Sequence, residues 1–297
     1  MSTLKGFFQI TRPVNTILCA FSVICGGIIG GKPLDHLSEL IEGIRHADMP
    51  PWTPRLAFAA ISASLILASG NVFNDVCDLS CDRINAPDRP IPSGRVTAGA
   101  AVIFALLLAF IGIWLSAPLG TPGVTIALSA SVVLFAYDMK LKGIPFVGNL
   151  SVASLGGLAF VYGGVAGESV TRSLLPAVFA ILFHFGRELI KDSADIKGDN
   201  AVGIKTAATV WGVRPTCRLA AIALGILAII TAVPFVAGYF GLIYLTIIIL
   251  GVWPALIFSI KVSLADTSQK RLYAASLALK FAMPAGIIAV LAGFQGL

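Results

Sequence analysis

Apolar runs of about 20 residues, each long enough to cross a bilayer as a helix, follow one another along most of the chain. They predict nine transmembrane helices, over residues 14–31, 55–77, 98–116, 122–138, 147–167, 172–193, 217–238, 240–262 and 274–294. Some of these runs are short or contain Pro and Gly, so eight spans with one re-entrant stretch is the alternative. Either way the pattern predicts an all-α fold, a polytopic transmembrane helical bundle.

Composition supports the same class. The chain is 57% hydrophobic and 12% charged, whereas soluble domains carry about 25% charged residues. The spans use nearly all of the length, so we expect residues 1–297 to form a single integral-membrane domain. Five cysteines without a CxxC motif indicate free thiols rather than a disulfide framework or a zinc site.

The net charge of +6 does not indicate a nucleic-acid partner, because the basic residues are spread over short loops between apolar runs. They follow the positive-inside rule if the N-terminus is cytoplasmic. The outside segments then hold only Lys32, Arg45, Arg55 and Arg172. We therefore expect a multi-pass protein of the cell membrane, with the long loop 32–54 outside and carrying a short surface helix.

Glycines recur at a spacing that lets membrane helices approach closely. Two overlapping GxxxG pairs lie in the first span, at Gly26, Gly27, Gly30 and Gly31, and Gly163 with Gly167 forms another. We interpret these glycines as helix-packing positions rather than substrate contacts.

The second span ends in a run of carboxamide and carboxylate side chains. At about 100° per residue, five of them share one arc of a helix: Asn71, Asn74, Asp75, Asp78 and Asp82, here called the first acidic cluster. Cys77 and Cys81 fall on the other side. We therefore predict a face made only of oxygen ligands, with the thiols pointing elsewhere.

The sixth span ends in a similar run. Its acidic residues also share one helix face, and we call them the second acidic cluster: Glu188, Asp192, Asp195 and Asp199. Four spans separate the two clusters, an even number, so both clusters lie on the same, cytoplasmic, side of the membrane.

So many acidic and amide groups at one membrane boundary are usually functional, because like charges repel unless cations lie between them. Ordinary interfacial charge is the alternative. Oxygen ligands without His or Cys favour Mg²⁺ over zinc, and Mg²⁺ commonly binds a few carboxylates together with substrate phosphates. The sequence therefore predicts two acidic helix ends that hold a diphosphate through shared Mg²⁺ ions.

Basic and phenolic side chains accompany the clusters. Arg83, Arg89 and Arg95 follow the first cluster, and a proline-rich loop has a stiff backbone that could place Arg89 over the site. Tyr137 and Lys140 end the fourth span on the same side. The positive-inside rule explains any one of these cations equally well. His184, one turn before Glu188, is interpreted as a packed histidine rather than a catalytic one.

These motifs resemble those of the UbiA-type intramembrane prenyltransferases. The run from Asn74-Asp75-x-x-Asp78-x-x-x-Asp82-Arg83 through Arg89 to Gly94 is similar to the first motif of that family, and Lys191-Asp192-x-x-Asp195-x-x-Gly198-Asp199 to the second. Arg12-Pro13-x-Asn15 and the stretch from Tyr137-x-x-Lys140 to Asn149 are similar as well. The resemblance covers the whole chain, including the number of helices.

The resemblance implies that the chain ionises an allylic prenyl diphosphate and passes the prenyl group to a lipophilic acceptor in a cavity open to lipid. It implies Mg²⁺ as the cofactor, with these ligands: Asn74, Asp75, Asp78, Asp82, Asp192, Asp195 and Asp199. The six aspartates would then be the catalytic residues. Further residues are expected around the diphosphate, led by Arg89 and Lys140: Asn71, Asn74, Arg12, Arg83 and Tyr137.

Within the family, the stretch 186–199 is most similar to the branch that prenylates geranylgeranylglyceryl phosphate in ether-lipid synthesis. Arg187 and Lys191 are the candidates for holding the phosphate of such an acceptor. An aromatic quinone precursor or a chlorophyllide-like acceptor is the alternative. An ion-coupled secondary transporter is the alternative of another class, but transporters place such carboxylates near the bilayer midplane rather than at helix ends.

The charge bias also predicts membrane orientation. In a background without the native thiols, a cysteine replacing Glu39 should react with an impermeant thiol reagent added to intact cells. A cysteine replacing Thr267 should not react, because its loop lies inside. The reverse labelling pattern would invert the topology.

Overall fold

The structure, a computed structural model, describes residues 3–30, 42 and 52–293. A short helix, Thr3–Ile10, precedes a bundle of nine long helices in this part of the chain. They are α1 Pro13–Gly30, α2 Trp52–Cys77, α3 Ala98–Leu115, α4 Gly120–Met139, α5 Val147–Ala166, α6 Val170–Val202, α7 Val213–Ile230, α8 Leu242–Ala265 and α9 Gln269–Gly293. Short helices Leu79–Asn85, Ala207–Trp211 and Val233–Val236 lie between them, and α8 contains a π-helical turn at Ile248–Val252.

By length and composition the helices form eight candidate membrane spans among the described residues, because α3 and α4 lie in one 42-residue apolar stretch, Ala98–Met139. One straight helix of that length would measure about 63 Å, about twice the hydrocarbon core. The chain instead turns at the short 3₁₀ helix Ala117–Leu119 and at Gly120, which has a positive φ of 71°.

Helix α3 runs antiparallel to α2. Toward one end of the pair, the hydroxyl of Ser62 donates to the carbonyl of Gly112 at 2.6 Å. Toward the other end, Val72 belongs to the same apolar cluster as Ala101.

Helix α4 returns parallel to α2. Leu119, just before α4, packs in a cluster with Leu56, and Gly70 lies against Leu134. Since α3 and α4 run in opposite directions, each crosses separately, and the predicted all-α bundle of about nine spans agrees with the structure.

The apolar outer surface identifies the faces that contact lipid. Phe110 and Trp114 of α3 are 69% and 67% exposed, and Phe281 of α9 is 75% exposed. Large contiguous apolar surfaces of this kind are rare on soluble proteins. The chain is therefore a multi-pass membrane protein, and the five cysteines are free thiols, as predicted.

Helices α1 and α5 cross at backbone contact. A Cβ atom built on Gly163 would lie 1.9 Å from the carbonyl oxygen of Val23, and one on Gly167 would lie 2.1 Å from that of Gly27. A Cβ atom built on Gly26 would lie 2.1 Å from the carbonyl oxygen of Phe160. The prediction that these glycines serve helix packing is confirmed for the described ones. Gly31 and the loop 32–54, which was predicted to carry a surface helix, lie outside the described residues, apart from residues 42 and 52–54.

The long helix α6 positions the second acidic cluster. Its 33 residues would extend about 50 Å, well beyond the hydrocarbon core. The sequence predicted that this span ends near residue 193, but the helix continues to Val202 and ends at Gly203, whose positive φ of 73° is typical of a helix C-cap. Its charged last third therefore keeps its four carboxylates in helical register.

We expect Gly163→Ala to destabilise the bundle by about 1–3 kcal/mol, the usual effect of overpacking, because the added methyl group meets a backbone carbonyl that cannot rotate away. Thermal unfolding of the purified protein in detergent measures the effect. Gly225→Ala in α7 is the matched control, since nothing lies within 4 Å of its added methyl group. Equal melting temperatures for the two variants would contradict the close α1–α5 crossing.

Candidate active site

One cavity of about 1160 Å³ lies inside the bundle and contains residues of both acidic clusters. Every long helix except α3 contributes to its wall. One end is polar, with Asp78 and Asp192 among its residues, and the other is apolar, with Phe179, Ile248 and Ile287 in its wall. The cavity therefore joins a charged compartment to an apolar one. It also brings the two acidic helix ends to one site, as the sequence predicted.

The first acidic cluster is paired with basic side chains. Asp78 accepts from the ammonium of Lys142 at 2.8 and 2.7 Å, and Asp82 accepts from Arg89 at 2.8 and 2.6 Å. Burial lowers the pKa of Arg89, but the hydrogen bonds and negative charge of Asp82 outweigh it, so that this pKa is raised overall. Arg89 thus remains ionised above Asp82, on the proline-rich loop from which the sequence predicted it would reach the site.

Arg12 holds the other half of the first cluster. Its guanidinium donates to Asn74 at 2.9 Å and to Asp75 at 2.5 Å. Arg12 itself stands between the first short helix and α1 with a φ of +52°, a conformation uncommon for residues other than glycine. Pro13 follows and disfavours a continuous helix through Arg12, so the chain bends there and turns the guanidinium toward α2.

The amides of the first cluster fix neighbouring segments. Asn71 donates to the carbonyl of Thr11 at 3.0 Å, and Asn74 donates to Asp138 at 2.7 Å. Asp138 lies in the last turn of α4 and lines the cavity, although sequence reasoning assigned it no role. Its neighbour Tyr137 lines the cavity, as expected.

The sequence prediction selected the wrong lysine of the α4–α5 connection. Lys140 is exposed and does not line the cavity, whereas Lys142 lines it and contacts Asp78. Helix α4 ends at Met139, and Lys140 leaves helical geometry before a 3₁₀ turn at Leu141–Gly143. This turn brings Lys142, two positions later, to the cavity wall, where Lys140 had been expected.

Three other residues of the first motif depart from the sequence prediction. Arg83 is exposed and does not line the cavity, because it lies about 100° around its short helix from Asp82. Asp75 is buried but does not line the cavity; its partner Arg12 lines the cavity instead. Cys81, predicted to point elsewhere, lines the cavity, because α2 ends at Cys77 and a new helix begins at Leu79.

The second acidic cluster has neutral partners at three positions. Asp192 accepts from the amide of Asn149 at 2.8 Å, and Asp195 accepts from the hydroxyl of Tyr273. The side chain of Thr206 lies close to Asp199. Of these three partners, Tyr273 lies outside every stretch that sequence reasoning had singled out.

Glu188, the remaining acid of the second cluster, is buried against cations. Arg187 donates to it at 2.8 Å, and the ammonium of Lys191 lies 3.6 Å from it. All three line the cavity, as does His184, whose ring packs against Gly156. The interpretation of His184 as a packed histidine therefore holds, although its ring also forms part of the wall.

The two clusters thus differ in charge compensation. In the part of the chain that the structure describes, Asp75, Asp78 and Asp82 each form an ion pair with an arginine or a lysine, whereas Asp192, Asp195 and Asp199 form none. Within the described residues, no three His, Cys, Asp or Glu side chains converge on one point where they would hold a metal ion. The donor set facing the cavity is nevertheless made of oxygen atoms, and its uncompensated negative charge suits a hard divalent cation.

Comparison with known proteins agrees with these features. A model of the UbiA prenyltransferase family matches residues 44–283. The digeranylgeranylglyceryl phosphate synthase of Saccharolobus solfataricus is 35% identical over 98% of this chain and 97% of its own length.

Solved structures share the fold. A structure of digeranylgeranylglyceryl phosphate synthase in membranes superimposes with a TM-score of 0.75, at 26% identity over 99% of both chains. A UbiA homologue from Archaeoglobus fulgidus, bound to GPP and Mg²⁺, has a TM-score of 0.64 at 15% identity over 96% of this chain and 99% of that one. The chain belongs to the UbiA prenyltransferase family.

Proposed function

We propose that this protein transfers a geranylgeranyl group from geranylgeranyl diphosphate to geranylgeranylglyceryl phosphate, forming the second ether bond of a diether lipid. The observation that carries the proposal is the single cavity that joins two acidic clusters at its polar end to an apolar compartment. A prenyl diphosphate has the same division, with a highly charged head and a long hydrocarbon tail.

The polar end fits Mg²⁺ by the chemistry of its donors. We propose Asp78, Asp82, Asp192, Asp195 and Asp199 as direct or water-mediated ligands, with Asn74 and Asp75 assisting. Mg²⁺ prefers carboxylate oxygens and retains water molecules, and three of these aspartates have no cationic partner in the described structure. The UbiA homologue from Archaeoglobus fulgidus binds Mg²⁺ together with GPP, which supports the choice of metal.

The cations of the first cluster are suited to the diphosphate oxygens. Arg12, Arg89 and Lys142 all line the cavity and hold carboxylates at hydrogen-bond distance. With a diphosphate bound, these side chains would donate hydrogen bonds to phosphate oxygens instead of to carboxylates. Arginine presents a planar fork that matches phosphate oxygens, and Tyr137 and Asn71 complete the polar wall.

The reaction is a substitution at the first carbon of the prenyl chain. The bond between that carbon and the diphosphate oxygen breaks, with its electron pair leaving on the diphosphate, and the acceptor hydroxyl forms the new ether bond. The products are the ether, diphosphate and a proton. When bound, Mg²⁺ supplies charge stabilisation for the leaving group.

The apolar compartment protects the reactive carbon. Phe160, Phe179 and Phe183 line the cavity, and their ring faces can stabilise positive charge on an allylic carbon. Excluding water from this region prevents hydrolysis of the prenyl group.

Similarity to a relative and two basic residues in the cavity wall support the proposed acceptor. The relative from Saccharolobus solfataricus is named for digeranylgeranylglyceryl phosphate synthesis. Arg187 and Lys191, both in the cavity wall, are the residues we propose near the acceptor phosphate. Aromatic quinone precursors are the next candidate acceptor class, and ion-coupled transport is disfavoured because the carboxylates lie at helix ends.

We also propose that the whole chain acts as one domain in the cell membrane, with its N-terminus and the polar end of the cavity facing the cytoplasm. The excess of basic residues on that side supports this orientation.

The direct test mixes the purified protein with geranylgeranyl diphosphate, geranylgeranylglyceryl phosphate and Mg²⁺, and identifies products by mass spectrometry. We expect the diether phosphate, and we expect EDTA to reduce its formation by orders of magnitude, because metal stabilisation of the leaving group contributes several kcal/mol. Added Mg²⁺ should restore it. Clear prenylation of an aromatic acid without any diether would overturn the acceptor, and full activity in EDTA would overturn the metal.

The two lysines of the α4–α5 connection provide a matched pair. Lys142→Met removes a charged contact that we place on the diphosphate, an interaction that contributes about 1.5–3 kcal/mol. We therefore expect kcat/KM for the prenyl diphosphate to fall by about 10- to 150-fold. Lys140→Met, at an exposed position outside the cavity, should leave kcat/KM within about twofold. Equal losses in the two variants would remove Lys142 from the donor site.

A further inference from the structure

We infer that Lys280, in the middle of helix α9, binds the phosphate of the acceptor together with Arg187, so that the acceptor head group has its own anion site, deeper in the cavity than the six aspartates. This inference rests on the proposed function and deepens it. Lys280 falls outside both sequence motifs.

The position of Lys280 is unusual for a membrane helix. It lies within the membrane-spanning stretch Gln269–Gly293, where a charged residue is costly and commonly functional. It lines the cavity, on the same stripe of α9 as Tyr273, Met283, Ile287 and Val290. Toward the chain terminus from Lys280 the rest of that stripe is apolar, so its ammonium stands at the boundary between the polar and apolar parts of the cavity.

The depth of Lys280 matches that of Arg187. Tyr273 of α9 contacts Asp195 of α6, and the two helices run in opposite directions. From that contact, Lys280 is seven residues along α9 and Arg187 is eight residues along α6, or about 10 and 12 Å into the bundle at 1.5 Å per residue. Both side chains line the same cavity, at similar depths beneath the three aspartates of the second acidic cluster, and Glu188 lies beside Arg187 at that depth.

Lys280 also lacks the compensation that the other cavity cations have. Arg12, Arg89 and Lys142 each contact a carboxylate of the first cluster, and Lys191 contacts Glu188. Among the described residues, Lys280 has neither an ion pair nor a hydrogen-bond partner.

Arg187 is satisfied only in part. One terminal nitrogen donates to Glu188 at 2.8 Å, but its buried Nε has no acceptor in the described part of the chain. A buried donor without an acceptor is unfavourable. An anion bound between Lys280 and Arg187 would accept hydrogen bonds from both side chains.

The proposed chemistry places the acceptor phosphate in this layer. In a glycerol phosphate that carries one prenyl ether, the free hydroxyl and the phosphate are on neighbouring carbons. The hydroxyl must lie about 3–3.5 Å from the carbon it attacks, on the side of that carbon away from the leaving diphosphate. Since the acidic clusters hold the diphosphate, the acceptor phosphate lies deeper, where Lys280 and Arg187 are.

Two other roles for Lys280 make different predictions. If its charge merely balanced the acidic clusters, its removal would weaken metal and donor binding as much as acceptor binding. If its neutral amine removed the hydroxyl proton, arginine could not replace it. If Lys280 binds the acceptor phosphate, Lys280→Arg should retain activity. Lys280→Met should then lose activity with phosphorylated acceptors and keep it with acceptors that lack the phosphate.

The experiment measures steady-state kinetics of wild type, Lys280→Met, Lys280→Arg and the control Lys270→Met, whose lysine is exposed on the same helix and does not line the cavity. Each is assayed with geranylgeranylglyceryl phosphate and with the same prenylated glycerol lacking phosphate. For Lys280→Met we expect KM for the phosphorylated acceptor to rise by about tenfold or more, as for the loss of one charge-assisted hydrogen bond. KM for geranylgeranyl diphosphate should stay within about twofold of wild type in the same variant, since we place Lys280 on the acceptor.

Three results would support the inference together: the rise in KM, its absence with the dephosphorylated acceptor, and recovery in Lys280→Arg. An unchanged acceptor KM in Lys280→Met would overturn it, as would an equal rise for the diphosphate or failure of arginine to substitute. The wild-type product separately tests the proposed function: if the wild type prenylates only an aromatic acid, the glycerol phosphate acceptor is wrong. Direct binding of geranylgeranyl diphosphate checks that each variant is folded.

Discussion

Negative charge crowded at one end of a membrane cavity is the constraint on which the rest of this structure depends. Carboxylates in a poorly hydrated site repel one another unless cations or hydrogen-bond donors lie between them. The protein compensates the first acidic cluster with its own arginines and lysine, drawn from three separate segments. The bend at Arg12, the proline-rich loop with Arg89 and the turn with Lys142 each bring a cation to one carboxylate.

The second acidic cluster is compensated differently, and the difference defines the site. An amide donates to Asp192 and a phenol donates to Asp195, so these carboxylates are oriented without being neutralised. One wall of the cavity is therefore near electrostatic balance and the other retains negative charge. The aspartates of this wall would hold divalent cations, which would supply the positive charge that this wall lacks.

Much of the fold could be predicted from sequence, because hydrophobic run length and the glycine spacing act locally. The span count, the common site of the two clusters and the close crossing at Gly163 all follow from patterns within one or two helices. The errors occur where a helix ends. Cys81 was placed away from the acidic face because a constant 100° per residue does not hold through the helix break after Cys77. Lys140 was expected at the diphosphate, but it follows the end of α4, where a 3₁₀ turn brings Lys142 to the cavity. Tyr273 and Lys280 could not be found from spacing, since only tertiary packing brings α9 to α6.

The hydrogen bond between Asp195 and Tyr273 joins residues that are 78 positions apart, and this separation has a consequence for biogenesis. When α6 enters the membrane during synthesis, the phenol that its carboxylate will contact belongs to a helix that the ribosome has not yet made. The acidic end of α6 must therefore wait, hydrated at the membrane surface, until α9 has been inserted beside it. The cavity therefore cannot be complete until α9 has been inserted, because α9 supplies part of its wall.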